Sequence, residues 1–163
     1  MLIASGRGSV VLLMYKRIFV AVDGSKESDY AFEKAMSICK RNKGAILTAI
    51  HVLDKSYRMG IAEMSDQTYF KEVTEFSEQL MVYYEEKARV FGVACELILK
   101  EGSPTSALLK EFKELKERDL VICGATNLGR IGRMLLGSVT DSLVHQSGCD
   151  VLVVRTPGVE TVN

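Results

Sequence analysis

The sequence has no excess of either charge and no long apolar run. Its 163 residues include 21 Lys and Arg and 21 Asp and Glu, so the formal net charge is zero. Domains dedicated to nucleic acid usually carry a basic surplus, and a bilayer-spanning helix needs roughly 20 apolar residues in succession. We therefore expect neither a nucleic-acid partner nor a membrane.

Cysteine and histidine are also scarce, with four and two copies, and their spacing excludes a zinc site. The cysteines form no CxxC pair, and the two histidines supply no matching ligand pair. Each cysteine lies among apolar neighbours, which favours free thiols in the reducing cytoplasm. The cysteines are Cys39, Cys95, Cys123 and Cys149.

Known phosphate-binding and catalytic motifs are absent. Residues 132–138 read GRMLLGS and lack the lysine of a Walker A loop, and no GxGxxG occurs. Asp23 alone does not supply the acidic pair of a phospho-receiver domain. Ser25, His51 and His145 do not form a nucleophile–base pattern. We therefore assign no catalytic residue and expect any turnover to be slow.

Short apolar runs alternate with amphipathic helical segments along most of the chain. Continuous apolar runs suit strands covered on both faces, and their alternation with helices indicates a parallel sheet. The sequence thus predicts an α/β fold with an open five-stranded parallel sheet and helices on both faces. Strands are predicted at 17–22, 45–53, 94–99, 119–123 and 150–155, and helices at 25–43, 67–90, from 103 through 115, and at 138–146.

The two ends of the chain are predicted to lie outside the domain, which we place at residues 14–156. Residues 1–13 are apolar, but the stretch is short for a secretory signal and no A-x-A site follows. Met14 resembles a natural start, so residues 1–13 are expected to be a non-native or disordered extension, with an added edge strand at 9–13 as the alternative. The tail 157–163 is expected to be disordered.

Residues 124–138 read GATNLGRIGRMLLGS and hold four of the 13 glycines. In open parallel sheets, ligands bind beyond the carboxyl ends of the strands, where the strand order reverses. Two strand orders are common for such a sheet, 2-1-3-4-5 and 3-2-1-4-5. The first strand ends in Asp23-Gly24-Ser25 and the fourth in Gly124-Ala125-Thr126, whereas the turn after the third has no glycine cradle. This favours 3-2-1-4-5, with a site between Asp23 and Gly124.

The chemistry of that site points to a nucleotide. A helix is predicted to begin at Ser138, so its free N–H groups and positive dipole end would face the loop. Amides and two hydroxyls would meet a phosphate there, from Gly137, Ser138, Val139 and Thr140. Asp23 would bind a ribose, a base or a metal ion. Two readings without a ligand stay open: Ser138 and Asp141 form an S-x-x-D capping pair, and Asp23 caps the next helix.

From Met14 to Arg155 the sequence resembles the universal stress protein family. KRIFVAVDGSKESDYAFEKA is similar to that family's first strand, turn and helix, and SLVHQSGCDVLVVR to its last helix and strand. The nucleotide-binding motif is Gly, two residues, Gly, nine residues, Gly, then Ser or Thr. Gly124, Gly137 and Ser138 match it, and Asn127 replaces the second glycine. Asn tolerates positive φ, and Gly129 follows two residues later.

The resemblance implies a Rossmann-like fold of the adenine nucleotide alpha hydrolase type. It also implies ATP or AMP as ligand, with Mg²⁺ or Mn²⁺ accompanying ATP. Asp23 would contact the nucleoside, the backbone of Leu47 the adenine, and Gly124 the ribose. The full predicted binding set is Ala21, Val22, Asp23, Ser25, Leu47, Gly124, Ala125, Thr126, Asn127, Gly129, Gly137, Ser138, Val139 and Thr140.

The resemblance further implies a homodimer joined through the last strand, which would otherwise expose an apolar edge. The pairing residues would be Val151, Leu152, Val153 and Val154. Three functions stay open at this point. The first is a cytoplasmic stress-response switch in which nucleotide orders the loop 127–137 for a partner to read. The others are a nucleotide-free dimeric interaction protein and a nucleotide hydrolase.

Overall fold

The computed structural model contains the five-stranded parallel sheet and describes residues 2–5, 9–12, 15–54, 66–125 and 136–157. Each predicted strand and helix is present, with ends that differ by a few residues. In chain order the elements are β1 Leu2–Ser5, β2 Ser9–Leu12, β3 Arg17–Ala21, α1 Lys26–Arg41, β4 Ile46–Leu53, α2 Asp66–Phe91, β5 Cys95–Glu101, α3 Pro104–Phe112, β6 Asp119–Gly124, α4 Ser138–Gln146 and β7 Asp150–Val154.

The strand order across the main sheet is β5-β4-β3-β6-β7, which is 3-2-1-4-5 when these five strands are counted along the chain. All neighbouring pairs are parallel, and Val20 in the central strand lies opposite Ala49 of β4 and Ile122 of β6. The predicted order is therefore confirmed. It brings the carboxyl ends of β3 and β6 side by side, at the point where the order reverses.

Helices cover both faces of this sheet and enclose two apolar cores. Alternate residues of a strand point to opposite faces, and β3 shows this directly. Ile18 and Val20 lie in the core beneath α1 and α2, together with Phe32. Phe19 lies in the core beneath α3 and α4, where it packs against Phe112 with ring centroids 5.6 Å apart. No helix within the described ranges is long and apolar enough to cross a membrane.

The first two strands form a separate antiparallel hairpin, in which Leu2 lies opposite Leu12 and Ser5 opposite Ser9. Residues 9–12 are thus a strand, but one that pairs with 2–5 and does not extend the edge of the main sheet. Residues 158–163 lie outside the described part of the chain, and the division into a domain and two extensions stays a prediction.

The ends of two helices show how local sequence fixes the fold. Ser25 precedes α1, and its hydroxyl accepts the Ser28 N–H at 3.1 Å, so Ser25 is the N-cap of that helix. Pro104 begins α3, where a missing N–H removes no helical bond. That helix ends at Phe112, so Leu115, which the predicted helix included, lies in the following turn and is still only 6% exposed.

Candidate functional site

A cleft of about 670 Å³ lies at the carboxyl ends of β3, β4 and β6, bordered by the start of α4. Nine of the predicted binding residues line it, drawn from three separate parts of the chain. They are Ala21, Val22, Asp23, Ser25, Gly124, Gly137, Ser138, Val139 and Thr140. The fold therefore brings together the two loops that the sequence singled out.

Two predicted residues lie elsewhere. Leu47 is the second residue of β4, is fully buried and pairs with Ile18, so the expectation that its backbone meets the adenine is corrected. Only the carboxyl end of a parallel strand reaches the cleft, and there β4 contributes Ile50, His51 and Val52 instead. Ala125 is buried and donates its N–H to Val154 at 2.7 Å, which extends the sheet.

Three further predicted positions, Thr126, Asn127 and Gly129, lie outside the described residues. The role of Asn127 in place of a motif glycine therefore stays a prediction.

Asp23 occupies the turn between β3 and α1, where Ser25 holds its carboxylate. Oδ1 of Asp23 accepts both the Ser25 N–H at 3.0 Å and the Ser25 hydroxyl at 2.6 Å. Partial burial would raise the pKa of Asp23, but these bonds, aided by Ser28 and the nearby His51, leave it below its ordinary value. Asp23 is thus ionised at neutral pH. It braces the turn while Ser25 caps α1.

Gly124 owes its lack of a side chain to helix packing. A Cβ at this position would lie 2.6 Å from the carbonyl carbon of Glu27 and 2.7 Å from its oxygen, in the first turn of α1. Glycine at this position admits the backbone of α1, and its φ is not among the positive ones, while Gly124 still lines the cleft. This close approach holds the Asp23 turn beside β6.

The amino end of α4 presents three N–H groups toward the cleft. Gly137 is the N-cap, with φ −61° and ψ 155°, and no side chain caps this end among the described residues. The first helical bond runs from the Asp141 N–H to the Gly137 oxygen at 2.9 Å. The amides of Ser138, Val139 and Thr140 thus have no acceptor within the helix.

This geometry corrects two expectations about α4. Ser138 is the first helical residue, not the N-cap, so the S-x-x-D capping pair with Asp141 does not form. The Thr140 hydroxyl donates to the Gly124 oxygen at 3.1 Å and is buried, so it ties α4 to β6. Of the two hydroxyls expected at a phosphate, that of Ser138 makes no hydrogen bond to the part of the chain that the structure describes.

The described lining of the cleft carries two carboxylates, Asp23 and Glu27, and no lysine or arginine. Nor do the described residues contain a group of three His, Cys, Asp or Glu side chains suited to a metal ion. Among the described residues, the amides and dipole of α4 are therefore the groups that favour an anion in this cleft. Of these residues Asp23 could bind a divalent cation, with the anion itself supplying further ligands.

Sequence reasoning missed the role of His51. This side chain is buried at the wall of the cleft, with Nδ1 2.8 Å from the Val22 oxygen and Nε2 3.1 Å from the Ser77 hydroxyl. Since both nitrogens are engaged, His51 is not free to act as a general base. The available signal was one polar residue within the apolar run of β4, and Ser77 lies 26 residues away.

Comparison with known proteins identifies the family to which this sequence is similar. A model described as the universal stress protein family matches residues 14–155. A Staphylococcus saprophyticus protein named as a universal stress protein is 40% identical over 146 residues, covering 89% of this chain and 86% of that protein. One from Staphylococcus haemolyticus is 39% identical over the same length, covering 89% and 87%.

Solved structures agree with the sequence relatives. Universal stress protein UspA from Lactobacillus plantarum matches with a TM-score of 0.72 and 26% identity, covering 87% of this chain and 99% of that one. A universal stress protein in complex with cAMP matches with a TM-score of 0.61 and 26% identity, covering 88% and 99%.

Proposed function

Because the chain belongs to the universal stress protein family, we propose that it binds an adenine nucleotide, AMP or ATP, in the cleft between β3 and β6. The observation that carries the proposal is the placement of the free amides of α4 opposite an ionised Asp23 across one cleft. A relative at 26% identity was solved with cAMP, which supports an adenine ligand.

The lining suggests how such a ligand would lie. The phosphates would accept hydrogen bonds from the amides of Ser138 and Val139, where the helix dipole favours negative charge. The nucleoside would lie over the apolar wall formed by Val22 and Val52, with Asp23 accepting from a ribose hydroxyl. Mg²⁺ or Mn²⁺ would accompany ATP, held mainly by phosphate oxygens and water.

We expect any ATP hydrolysis to be slow. Catalysis by a general base needs a free acceptor within hydrogen-bond reach of the attacking water. Among the described lining residues, His51 is engaged on both nitrogens, and the lowered pKa of Asp23 makes its carboxylate a weak base. Free amides explain affinity for a phosphate and do not explain turnover. The protein thus acts as a nucleotide-dependent switch in this proposal.

The dimer expected through β7 is also proposed. Edge strands that must stay unpaired usually carry charge. The edge strand β5 includes Glu96, Lys100 and Glu101, whereas residues 151–154 of the other edge, β7, are all apolar. Val151, Leu152 and Val153 are only partly buried within one chain. A second copy paired along β7 would cover them.

A cytoplasmic location is proposed from the cysteines. All four are free in the structure. Burial raises the pKa of each thiol, to about 11 for Cys95 and Cys149, so few reactive thiolates form. Unpaired cysteines of this kind suit a reducing compartment.

Replacing Gly137 by Asp tests the nucleotide site. Gly137 has backbone angles open to any residue, and Asp is a good N-cap, so the fold should be kept. Its carboxylate would stand where the phosphates bind. We expect calorimetric titration with AMP to show at least a hundredfold loss of affinity, on the order of 3 kcal/mol.

Gly137→Asn is the matched control, because Asn has nearly the same shape and capping ability without the charge. We expect it to weaken AMP binding much less than Asp does. If Gly137→Asp and the unaltered protein bound AMP with equal affinity, the phosphates would not bind at the amino end of α4. Absence of binding by the unaltered protein would instead favour the nucleotide-free interaction protein.

A further inference from the structure

The peptide that joins Val22 to Asp23 is held at both of its polar ends by buried side chains. Its carbonyl oxygen belongs to Val22 and its N–H to Asp23. This peptide carries the one carboxylate that ends β3, and its orientation decides where that carboxylate stands in the cleft. Both sets of hydrogen bonds lead to the same element, helix α2.

On the carbonyl side the connection runs through His51. The Val22 oxygen can only accept, so Nδ1 of His51 donates to it over 2.8 Å. The other ring nitrogen is 3.1 Å from the hydroxyl of Ser77, which is fully buried on α2 and also bonds the Val73 oxygen at 2.8 Å. His51 thereby fixes the peptide oxygen to α2.

On the N–H side the connection runs through Ser28. The Asp23 N–H donates to the Ser28 hydroxyl oxygen at 3.3 Å, and Ser28 gives its own proton to the Ser25 oxygen at 3.0 Å. The Tyr84 hydroxyl lies 3.2 Å from the Ser28 hydroxyl oxygen and is therefore the donor in that contact. Tyr84 is fully buried and also lies on α2.

Ser77 and Tyr84 are seven residues apart, which is about two helical turns, so they lie on one face of α2. Between them Leu80 packs on the turn itself. A Cβ on Gly24, whose φ is +82°, would lie 3.3 Å from Leu80 Cδ1 and 3.4 Å from Phe76 Cζ. One face of α2 thus reaches the Asp23 turn at three points along the helix: through His51 at Ser77, directly at Leu80, and through Ser28 at Tyr84.

We propose that Ser77 and Tyr84 are positioning residues for the nucleotide site: through His51 and Ser28 they orient the Val22–Asp23 peptide, so helix α2 sets the affinity of a cleft that it does not line. This inference rests on the proposed nucleotide function. Because coupling between sites is reciprocal, a nucleotide bound at Asp23 also stabilises the position of α2. A purely structural role would satisfy the same buried groups, so the test must separate the two.

Two single-hydroxyl deletions test the proposal, Ser77→Ala and Tyr84→Phe. Each has a control on the same helix. Tyr83→Phe removes a phenol hydroxyl that bonds Asp29, and Thr74→Val removes a hydroxyl that bonds the Phe70 oxygen. Neither control touches the Val22–Asp23 peptide. In calorimetric titrations with AMP, performed well below each melting temperature, we expect both test variants to bind roughly threefold to tenfold more weakly, the effect of one hydrogen bond.

The AMP dissociation constants of the two controls should stay within about twofold of that of the unaltered protein. Ser77→Thr, which keeps the hydroxyl, should bind AMP more tightly than Ser77→Ala does. A second readout is the hydrogen-exchange rate of the Asp23 amide by NMR without nucleotide. It should rise in Ser77→Ala and Tyr84→Phe and not in the controls. Loss of thermal stability without change in AMP affinity or in Asp23 exchange would overturn the proposal.

The exchange measurement also separates the two proposals. If the unaltered protein binds no AMP, the proposed function fails, yet faster exchange at Asp23 in both test variants would still support control of this peptide by α2. If AMP binds and the four single variants behave alike, the positioning role fails while the nucleotide site stands.

Discussion

The substitution Gly124→Ala is expected to displace helix α1 from β6. The added Cβ would lie 2.6 Å from the Glu27 carbonyl carbon, where ordinary contact begins at 3.4 Å, so the first turn of α1 must move by 0.8 Å (3.4 minus 2.6). The contact atoms are backbone and cannot rotate away. Forcing extra atoms into a packed site typically costs about 1–3 kcal/mol, or a fall in melting temperature of about 3–10 °C for a domain of this size.

Urea unfolding followed by circular dichroism measures this cost, and calorimetry measures its effect on the site. Because the first turn of α1 holds Ser28 and follows Ser25, Gly124→Ala should also weaken AMP binding. Gly44→Ala is the control: its Cβ meets nothing within 4 Å, but its φ is +81°. That strain costs about 1–2 kcal/mol at the opposite end of the sheet, so stability should fall and AMP affinity should not.

The reasoning about Gly124 would be refuted if the alanine variant unfolded at the same urea concentration as the unaltered protein. It would also be refuted if Gly44→Ala and Gly124→Ala weakened AMP binding equally. In that case the loss would follow from global stability and not from the position of α1.

Two further predictions concern the sheet. Arg17 donates to the buried Asp119 carboxylate at 2.8 Å; burial would raise the pKa of Asp119, but the Arg17 bond and the Lys116 amide leave it lowered. The stabilisation by the ionised Asp119 carboxylate is present above the unfolded pKa of about 3.9 and is lost as pH falls through the lower folded pKa. Asp119→Asn should therefore cost about 1–2 kcal/mol of unfolding free energy at pH 7 and less in acid. A difference in unfolding free energy, measured with urea, that stayed constant with pH would contradict this. In sedimentation experiments, Val153→Lys should convert the dimer to a monomer, whereas Leu99→Lys on the opposite edge strand should not. Equal effects of the two substitutions would show that β7 does not form the dimer interface.

Much of the fold was predictable because its determinants are local. The apolar runs fixed the strands, and Ser25 and Pro104 marked the starts of helices. The strand order followed from one long-range rule, that special loops gather where the order reverses. The family resemblance, which covers residues 14–155, is confirmed on the same residues.

The parts that could not be predicted depend on register and distant contacts. Leu47 was placed at the site by the family resemblance, although it lies near the start of the strand predicted at 45–53 and the cleft wall is formed by Val52 near its end. Ser138 begins α4 as predicted, but the sequence left open whether Ser138 also caps that helix, and the structure shows that Gly137 is the N-cap. The packing role of Gly124 was not predicted because its neighbour, Glu27, is almost a hundred residues away in the chain.

The contacts behind Asp23 were equally hidden. Ser28 and Tyr84 are 56 residues apart, and His51 and Ser77 are 26 apart. No local spacing links either pair, since each arises from the packing of α2 on the sheet. The signal in the sequence was His51, a polar residue inside the apolar run of β4.

A titration of isotopically labelled protein with AMP, followed by amide NMR, tests the central claim most directly because it reports affinity and location together. The account predicts saturable shifts at Asp23, Gly124, Ser138 and Val139, with a dissociation constant in the micromolar range, or roughly −8 kcal/mol, and unchanged signals around Asp119 at the other end of the sheet. No shifts at millimolar AMP, or shifts confined to the Asp119 end, would contradict it.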